Sequence, residues 1–331
     1  MRMVLLTAIM LMLIVLNIFF GAISIPIADT FAILSGRGDA DEAIRYIILE
    51  SRIPQSITAL TAGASLAGAG LMLQTLFRNP LAGPSILGIT SGSSLGVALV
   101  LLAGGGFFYL DGGALGGEMA ITTAALAGSF AVIGILLVLS RRLRNNLSLL
   151  IAGMMVGYLA SAMVSLLSSA ASAKGVQSYV MWGMGTFSGV TSAMLPWFAV
   201  TCIAGLIIAI LLTKPLNLLL LGDNYAANLG VNIKRVRFWL LVSTGILSAA
   251  VTAFCGPIGF IGLAMPHIAR LIYRTDDHRL LMPATLLCGS ILALGCNLLS
   301  VAPEGFVIPI NALTPIAGIP VVLYVILRKN R

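Results

Sequence analysis

Apolar residues run along this chain in long blocks that charge hardly interrupts, separated by short polar or glycine-rich stretches. Met1 to Phe20 is the first block. It has one arginine and then an apolar run longer than a secretory signal core, which predicts an uncleaved first span over residues 3–23. A polar stretch follows from Ser35 to Arg52. Beyond it come Ile53 to Leu76, Pro80 to Ala103, Met119 to Leu139, Leu147 to Ala170, Ala193 to Leu212, Val236 to Phe254, Cys255 to Ile272, Leu280 to Ala302 and Val307 to Leu327. A helix crossing a bilayer needs about 20 apolar residues, and each block is close to that length. The pattern predicts an all-α, polytopic membrane protein, one unit over 1–331, with ten transmembrane helices.

Two blocks, the third and the eighth, are broken by glycine and proline: Pro80, Pro84 and Gly88 in one, Gly256, Pro257, Gly259, Gly262 and Pro266 in the other. They should be short or interrupted helices whose freed backbone groups are satisfied within the protein. Each stands second in a run of four, 53–170 and 236–327, and the two runs enter the membrane in opposite directions. Paired interrupted segments are the sequence pointer to an internal inverted repeat in a transporter. Glycine and proline are also commoner in membrane helices generally, and the pattern alone leaves both accounts open.

Composition and charge fit this picture. Of 331 residues, 59% are hydrophobic and 9% charged, against roughly 25% charged in soluble domains, so a water-exposed fold of this size is excluded. A net charge of +8 on a soluble protein would point to nucleic acid; here position gives it another meaning. With the N-terminus inside, the inner segments collect Arg2, Arg78, Arg141, Arg142, Arg144, Lys214, Lys234, Arg235, Arg237, Arg270, Arg274, Arg279, Arg328, Lys329 and Arg331. The outer side keeps Arg37, Arg45, Arg52 and Lys174 but takes most of the acids, Asp29, Asp39, Asp41, Glu42, Glu50, Asp111, Glu118 and Glu304. This asymmetry predicts an even number of spans with both termini cytoplasmic, in the inner membrane, and no nucleic-acid partner.

Little covalent chemistry is encoded. None of the four lysines follows a glycine, so no phosphate-binding P-loop exists and the chain cannot itself bind ATP that way. No Asp or Glu falls in the middle of a span, which counts against a proton-coupled carrier. Cys202, Cys255, Cys288 and Cys296 sit in apolar stretches without C-x-x-C spacing and are expected to be inert packed thiols. His267 and His278 have no carboxylate or thiol at ligand spacing and are expected to be structural, so no metal site and no cofactor is assigned to the chain.

Three further features bear on function. Ala59, Gly63, Ala67 and Gly70 form a small-residue stripe suited to close helix packing, with a pore lining as the alternative. Met154, Met155, Met163, Met181 and Met184 read as core gap-fillers or as the soft wall of a wide passage. The connection over 213–235 is the longest inner one, and within it Asp223 to Gly230 carries helix start and stop signals. It is either a plain loop or a short helix outside the membrane that docks a cytoplasmic partner.

These residues carry a resemblance. Arg78-Asn79-Pro80-Leu81-Ala82-Gly83-Pro84, then Leu87-Gly88 and Ser91-Gly92, then Leu221-Gly222-Asp223 with Leu229-Gly230-Val231, and finally Gly256-Pro257-Ile258-Gly259-Phe260-Ile261-Gly262-Leu263 running into Pro266-His267-Ile268-Ala269-Arg270 resemble the FecCD family of ABC importer permeases over nearly the whole chain. The resemblance implies a homodimer of ten-helix subunits with two cytoplasmic ATPase subunits and an extracytoplasmic substrate-binding protein. It implies that Asp223, Asn224, Ala227, Leu229 and Gly230 belong to the helix that couples to the ATPase, and that Arg52 docks the binding protein, with Gln55 standing where the family has a second arginine. It also implies that Asn145, Asn146, Leu147 and Ser148 form a cytoplasmic gate, although helix capping accounts equally well for the two asparagines.

The expectation is therefore a non-enzymatic transport subunit in an ATP-driven importer, with a ferric siderophore or haem as cargo and cobalamin as the alternative. A self-sufficient carrier or channel is the rival class. An intramembrane enzyme has no candidate pair of nucleophile and base.

Overall fold

The computed structural model of the chain describes residues 1–36, 41–103, 113–143, 145–302 and 306–329. Arg37, Asp39, Asp111, Arg144, Glu304 and Arg331, part of the predicted charge asymmetry, lie outside the described residues, as do the side chains of Arg328 and Lys329. Among the described residues all regular structure is helical. In chain order the helices are α1 (Arg2–Phe19), α2 (Ile27–Leu34), α3 (Glu42–Tyr46), α4 (Ile53–Phe77), α5 (Ile89–Ala98), α6 (Gly113–Arg142), α7 (Asn146–Ala170), α8 (Ala173–Gly183), α9 (Leu195–Leu211), α10 (Thr213–Leu220), α11 (Asp223–Asn228), α12 (Ile233–Cys255), α13 (Ile261–Tyr273), α14 (His278–Ser300) and α15 (Ile310–Lys329). A π-helical turn, Ile47–Arg52, joins α3 to α4, another, Leu99–Ala103, prolongs α5, and a 3-10 turn, Pro84–Leu87, precedes α5.

Each of the ten apolar blocks forms a helical segment. Six of the resulting helices are long and apolar enough to cross a membrane, seven if α9 and α10, bent by 48°, count as one span; α5 with its extension, α13 and the apolar part of α15 are shorter. The broken blocks behave as their glycines and prolines dictate. Gly88 at φ +75° and Gly256 at φ +76° turn the chain where no side chain is comfortable. Phe260, at φ +64°, holds the same left-handed region without that freedom, and α13 starts only after it. The first span ends at Phe19, short of the expected residue 23, and Asp29 lies in the first turn of the separate helix α2.

Helix α4 is buried almost throughout and packs on α14, α12, α13 and α9. Its small-residue stripe is a close-packing seam: a Cβ on Gly63 would lie 2.3 Å from the carbonyl oxygen of Gly289 in α14, and one on Gly70 would lie 1.8 Å from that of Gly262 in α13. The backbones touch, so the packing account holds over the pore-lining one. Contacts between the two runs of helices are reciprocal. Helix α5 packs on α6 and α7 as α13 packs on α14 and α15, while α4 crosses to α14 as α12 crosses to α6.

The rim of the bundle is apolar and uncovered, with Leu11, Met12 and Val15 on α1, Tyr158, Leu159 and Leu166 on α7, and Trp197, Val200 and Ile203 on α9 all exposed. Met155, Met163, Met181 and Met184 are exposed too, so these four are not core gap-fillers. All four cysteines are buried and unpaired.

Candidate partner-docking site and gate

Gly222, at φ +113°, turns the chain out of α10, and the amide of Ala226 donates to the Gly222 carbonyl to start α11. The short helix closes at Gly230, φ +86°, where the Gly230 and Val231 amides donate to Ala227 and Ala226 carbonyls. Ala226 is buried against the bundle, whereas Asn224, Ala227, Leu229 and Gly230 face outward. Leu229 is 54% exposed, and Tyr225 at 56% and Leu221 at 60% stand beside it. Three large apolar side chains on a segment outside the long helices make a surface that asks for a partner. The sequence reading did not select Tyr225 or Leu221; their four-residue spacing, 221, 225 and 229, from the end of α10 to the end of α11 is the signal that finds them.

Asp223 faces inward instead. Its carboxylate accepts from Nη2 of Arg78 at 2.5 Å and from Nδ2 of Asn146 at 3.4 Å, so it fastens α11 to the end of α4 and the start of α7. The expected gate turn lies directly alongside. Asn145 caps α7, its side chain accepting from the Leu147 amide at 2.9 Å, which is the capping account. Asn146 does something else: its Nδ2 also donates to the Leu76 carbonyl at 2.8 Å. Leu147 and Ser148 are exposed. Nη1 of Arg237 donates to the Leu143 carbonyl at 3.0 Å, holding the turn from its other side. The structure thus brings the segment expected to couple and the turn expected to gate side by side, with Asp223 and Asn146 in contact.

The motif segments converge on the same end. The carbonyl of Pro80 accepts from Nε2 of His267 at 2.8 Å, Nη1 of Arg270 donates to Gln74 at 2.8 Å, and Gln74 donates to the Leu263 carbonyl at 3.1 Å. Asp277, outside the spans, caps α14 by accepting from the Arg279 amide at 2.9 Å and accepts from Asn217 at 2.5 Å. The backbone N–H of Arg279, then the Asn217 amide, hold its carboxyl below the usual carboxylate range.

At the opposite end Arg52 does not present itself for docking. It is 4% exposed, and its guanidinium donates to the carbonyls of Ile18 at 3.0 Å, Phe19 at 2.8 Å and Ile23 at 2.5 Å. It closes the C-terminus of α1, where free carbonyls attract a cation. The direct docking contact expected of Arg52 is therefore not the contact this geometry gives. Gln55 is turned inward as well, donating to Asn297 at 2.9 Å; Asn297 donates to Asn17 at 2.7 Å, and Asn17 donates to the Leu294 carbonyl at 3.1 Å. Sequence reasoning missed this amide chain, although lone asparagines inside apolar helices are a legible sign of interhelical hydrogen bonds.

Helices long and apolar enough to cross a membrane, broken segments inside the bundle and an exposed apolar tip outside the long helices define the class as a multi-pass membrane protein. Comparison with known proteins narrows the class. The chain belongs to the FecCD transport family, whose model matches residues 9–328. It is 35% identical over 287 residues, 86% of this chain and 84% of the other, to the vitamin B12 import system permease protein BtuC of Klebsiella pneumoniae. It is 34% identical over 299 residues, 90% and 87% of the two chains, to BtuC of Salmonella typhimurium. Its fold is similar, with a TM-score of 0.85, 29% identity and 99% of each chain covered, to a structure described as a metal-chelate type ABC transporter in an inward-facing conformation. The chain is therefore the membrane permease of an ABC importer, a transport subunit and not an enzyme, multi-pass in the inner membrane.

Proposed function

We propose that the chain carries cobalamin, as the permease of an importer whose ATPase subunits dock on α11 and whose binding protein delivers cargo at the opposite end. The observation that carries the cargo reading is the 34–35% identity, over most of both chains, to vitamin B12 permeases. It favours cobalamin over the siderophore or haem that the sequence alone put first. The similarity to a metal-chelate type transporter supports the wider class of bulky organic metal chelates. Exposed Met155 and Met163 on α7 suit a wall that accommodates such a cargo without gripping it.

The working assembly is a homodimer of ten-span subunits with two ATPase subunits, both termini cytoplasmic, and an inverted repeat over 53–170 and 236–327. The reciprocal packing of α5 and α13 supports the repeat. The gathering of Arg2, Arg78, Arg237 and Arg270 around the α11 end, with Arg2 donating to the Ile272 carbonyl at 2.5 Å, supports placing that end inside. The outward-facing Leu221, Tyr225 and Leu229 support ATPase docking there, with Asp223 holding the tip.

The test is ATP hydrolysis by the reconstituted complex with its binding protein loaded with cobalamin, a ferric siderophore or haem in turn. Stimulation and uptake with cobalamin are expected. Stimulation by iron chelates alone overturns the cargo reading, and uptake by the isolated chain in liposomes without ATP overturns the importer reading.

A further inference from the structure

A bay of about 250 Å³ opens between the start of α5 and the middle of α7, where Ser85, Ser91, Tyr158 and Ser161 line it together with Ile86 and Met154. The break in the third block puts it there. Gly88, at φ +75°, turns the chain from the 3-10 turn Pro84–Leu87 into α5. Its backbone lies against α7 so closely that an added Cβ would stand 2.8 Å from both the Gly153 carbonyl oxygen and the Gly157 nitrogen. That contact sets Ser85 and Ser91, on either side of Gly88, beside the face of α7 on which Met154, Tyr158 and Ser161 recur at helical spacing.

Tyr158 is the middle residue of α7 (Asn146–Ala170), about 18 Å along it. In a hydrocarbon core about 30 Å thick the bay therefore sits near the midplane. It is open, with Tyr158 63% exposed and Ser161 exposed as well. Further along α7, Ser165 and Ser168 donate back to the carbonyls of Ser161 at 3.1 Å and Val164 at 2.9 Å, as helical serines at membrane depth commonly do. The hydroxyls of Ser85, Ser91, Tyr158 and Ser161 bond to no described residue. Uncommitted hydroxyls are costly against lipid tails and suit a water-filled passage instead.

Resting on the importer and cobalamin reading above, we propose that this bay is a cargo-contact site that receives a neutral primary-amide arm of the passing cargo and disfavours a carboxylate. A hydroxyl both donates and accepts, so it pairs with either end of an amide. A carboxylate only accepts and brings a charge, and no cation lines the bay to offset its loss of water. The rim of cobalamin carries such amide arms, whereas haem carries propionates. The bay is smaller than the roughly 300–1,000 Å³ of a site that encloses a drug-sized ligand, so it takes one arm and releases it readily. Ser91, Tyr158 and Ser161 are then specificity residues.

ATP-driven uptake into proteoliposomes holding the permease, its ATPase and its binding protein tests this, with cobalamin set against each isomer of its monocarboxylic acid at saturating loaded binding protein. The wild type should move at least one acid isomer about threefold or more slowly than cobalamin, and Ser161→Lys, which adds a cation, should narrow that gap. Tyr158→Phe and Ser161→Ala should each slow cobalamin about two- to tenfold, the worth of one hydrogen bond, at unchanged thermal midpoints, since neither hydroxyl is bonded within the chain. Ser161→Cys should react with a water-soluble thiol reagent during turnover, against a background of four buried cysteines. Acids moved as fast as cobalamin, a gap that Ser161→Lys leaves unchanged, or unslowed uptake in both Tyr158→Phe and Ser161→Ala overturns the amide site. A Ser161→Cys thiol that never reacts sets the bay against lipid or a second copy and overturns it too. Uptake of an iron chelate but not cobalamin by the wild type instead overturns the cargo reading, and the amide site with it.

Discussion

Replacing Gly70 by alanine tests the seam that organises the bundle. The added Cβ would stand 1.8 Å from the Gly262 carbonyl oxygen, where ordinary contact begins at 3.4 Å. Backbone lies on both sides, so no rotamer can relieve the clash, and α4 and α13 must part by about 1.6 Å over at least one turn. Overpacking costs about 1–3 kcal/mol, and a backbone-on-backbone contact belongs at the upper end, about 3 kcal/mol. For a chain of this size that corresponds to a loss of roughly 5 °C or more in the apparent unfolding midpoint. The four buried, unpaired cysteines supply the assay, because a thiol-reactive fluorophore in detergent lights up only as the bundle opens. Gly134→Ala, in a helix where an added Cβ meets nothing within 4 Å, is the control and should gain about 0.5–1 kcal/mol. A Gly70→Ala protein melting with the wild type would refute the direct backbone contact.

Arg52→Met should cost about 2–4 kcal/mol, because it strips a buried charged donor from three carbonyls, while the folded fraction binds the binding protein within about twofold of wild type; lost binding at unchanged stability would restore Arg52 to the docking surface. Arg78→Met should move the midpoint little, since a half-exposed ion pair is worth about 0–1 kcal/mol, yet weaken ATPase affinity about tenfold as α11 loses its anchor; unchanged affinity counts against the anchor. The lowered Asp277 pKa makes its stabilising effect complete above the ordinary carboxylate range near pH ~4 and lost as pH falls through the lower native value. The midpoint gap between wild type and Asp277→Ala should therefore close on acidification; a gap that widens is the wrong sign.

Hydropathy alone located the long helices to within a few residues: Ile53 to Leu76 against Ile53–Phe77, and Leu147 to Ala170 against Asn146–Ala170. Burial in lipid and burial in protein both demand unbroken apolar runs. Gly256 and Gly88 marked the broken segments for the same local reason, and Asp223 to Gly230 gave the external helix through its terminal signals. Helices α2, α3, α8 and α10 were not read, because they are short and owe their existence to docking on neighbours rather than to a hydrophobic period. At the site, the positions of Asp223 and Asn146 were legible but their bond was not, since 77 residues separate them. Arg52 misled for a related reason: a basic residue at a span boundary looks the same whether it faces water or the end of a helix packed beside it.

The amide chain from Asn17 to Asn297 spans 280 residues of sequence, and synthesis runs in one direction. Helix α1 is made first, and within it the Asn17 amide can donate only to the Leu13 carbonyl at 2.8 Å; the donor to its oxygen, Asn297, arrives only when α14, the penultimate described helix, emerges. A growing chain must therefore hold a half-satisfied amide near the end of its first helix through most of its synthesis. Helix α1 should dock late, and nascent chains stopped before α14 should depend most on the insertion machinery for shelter.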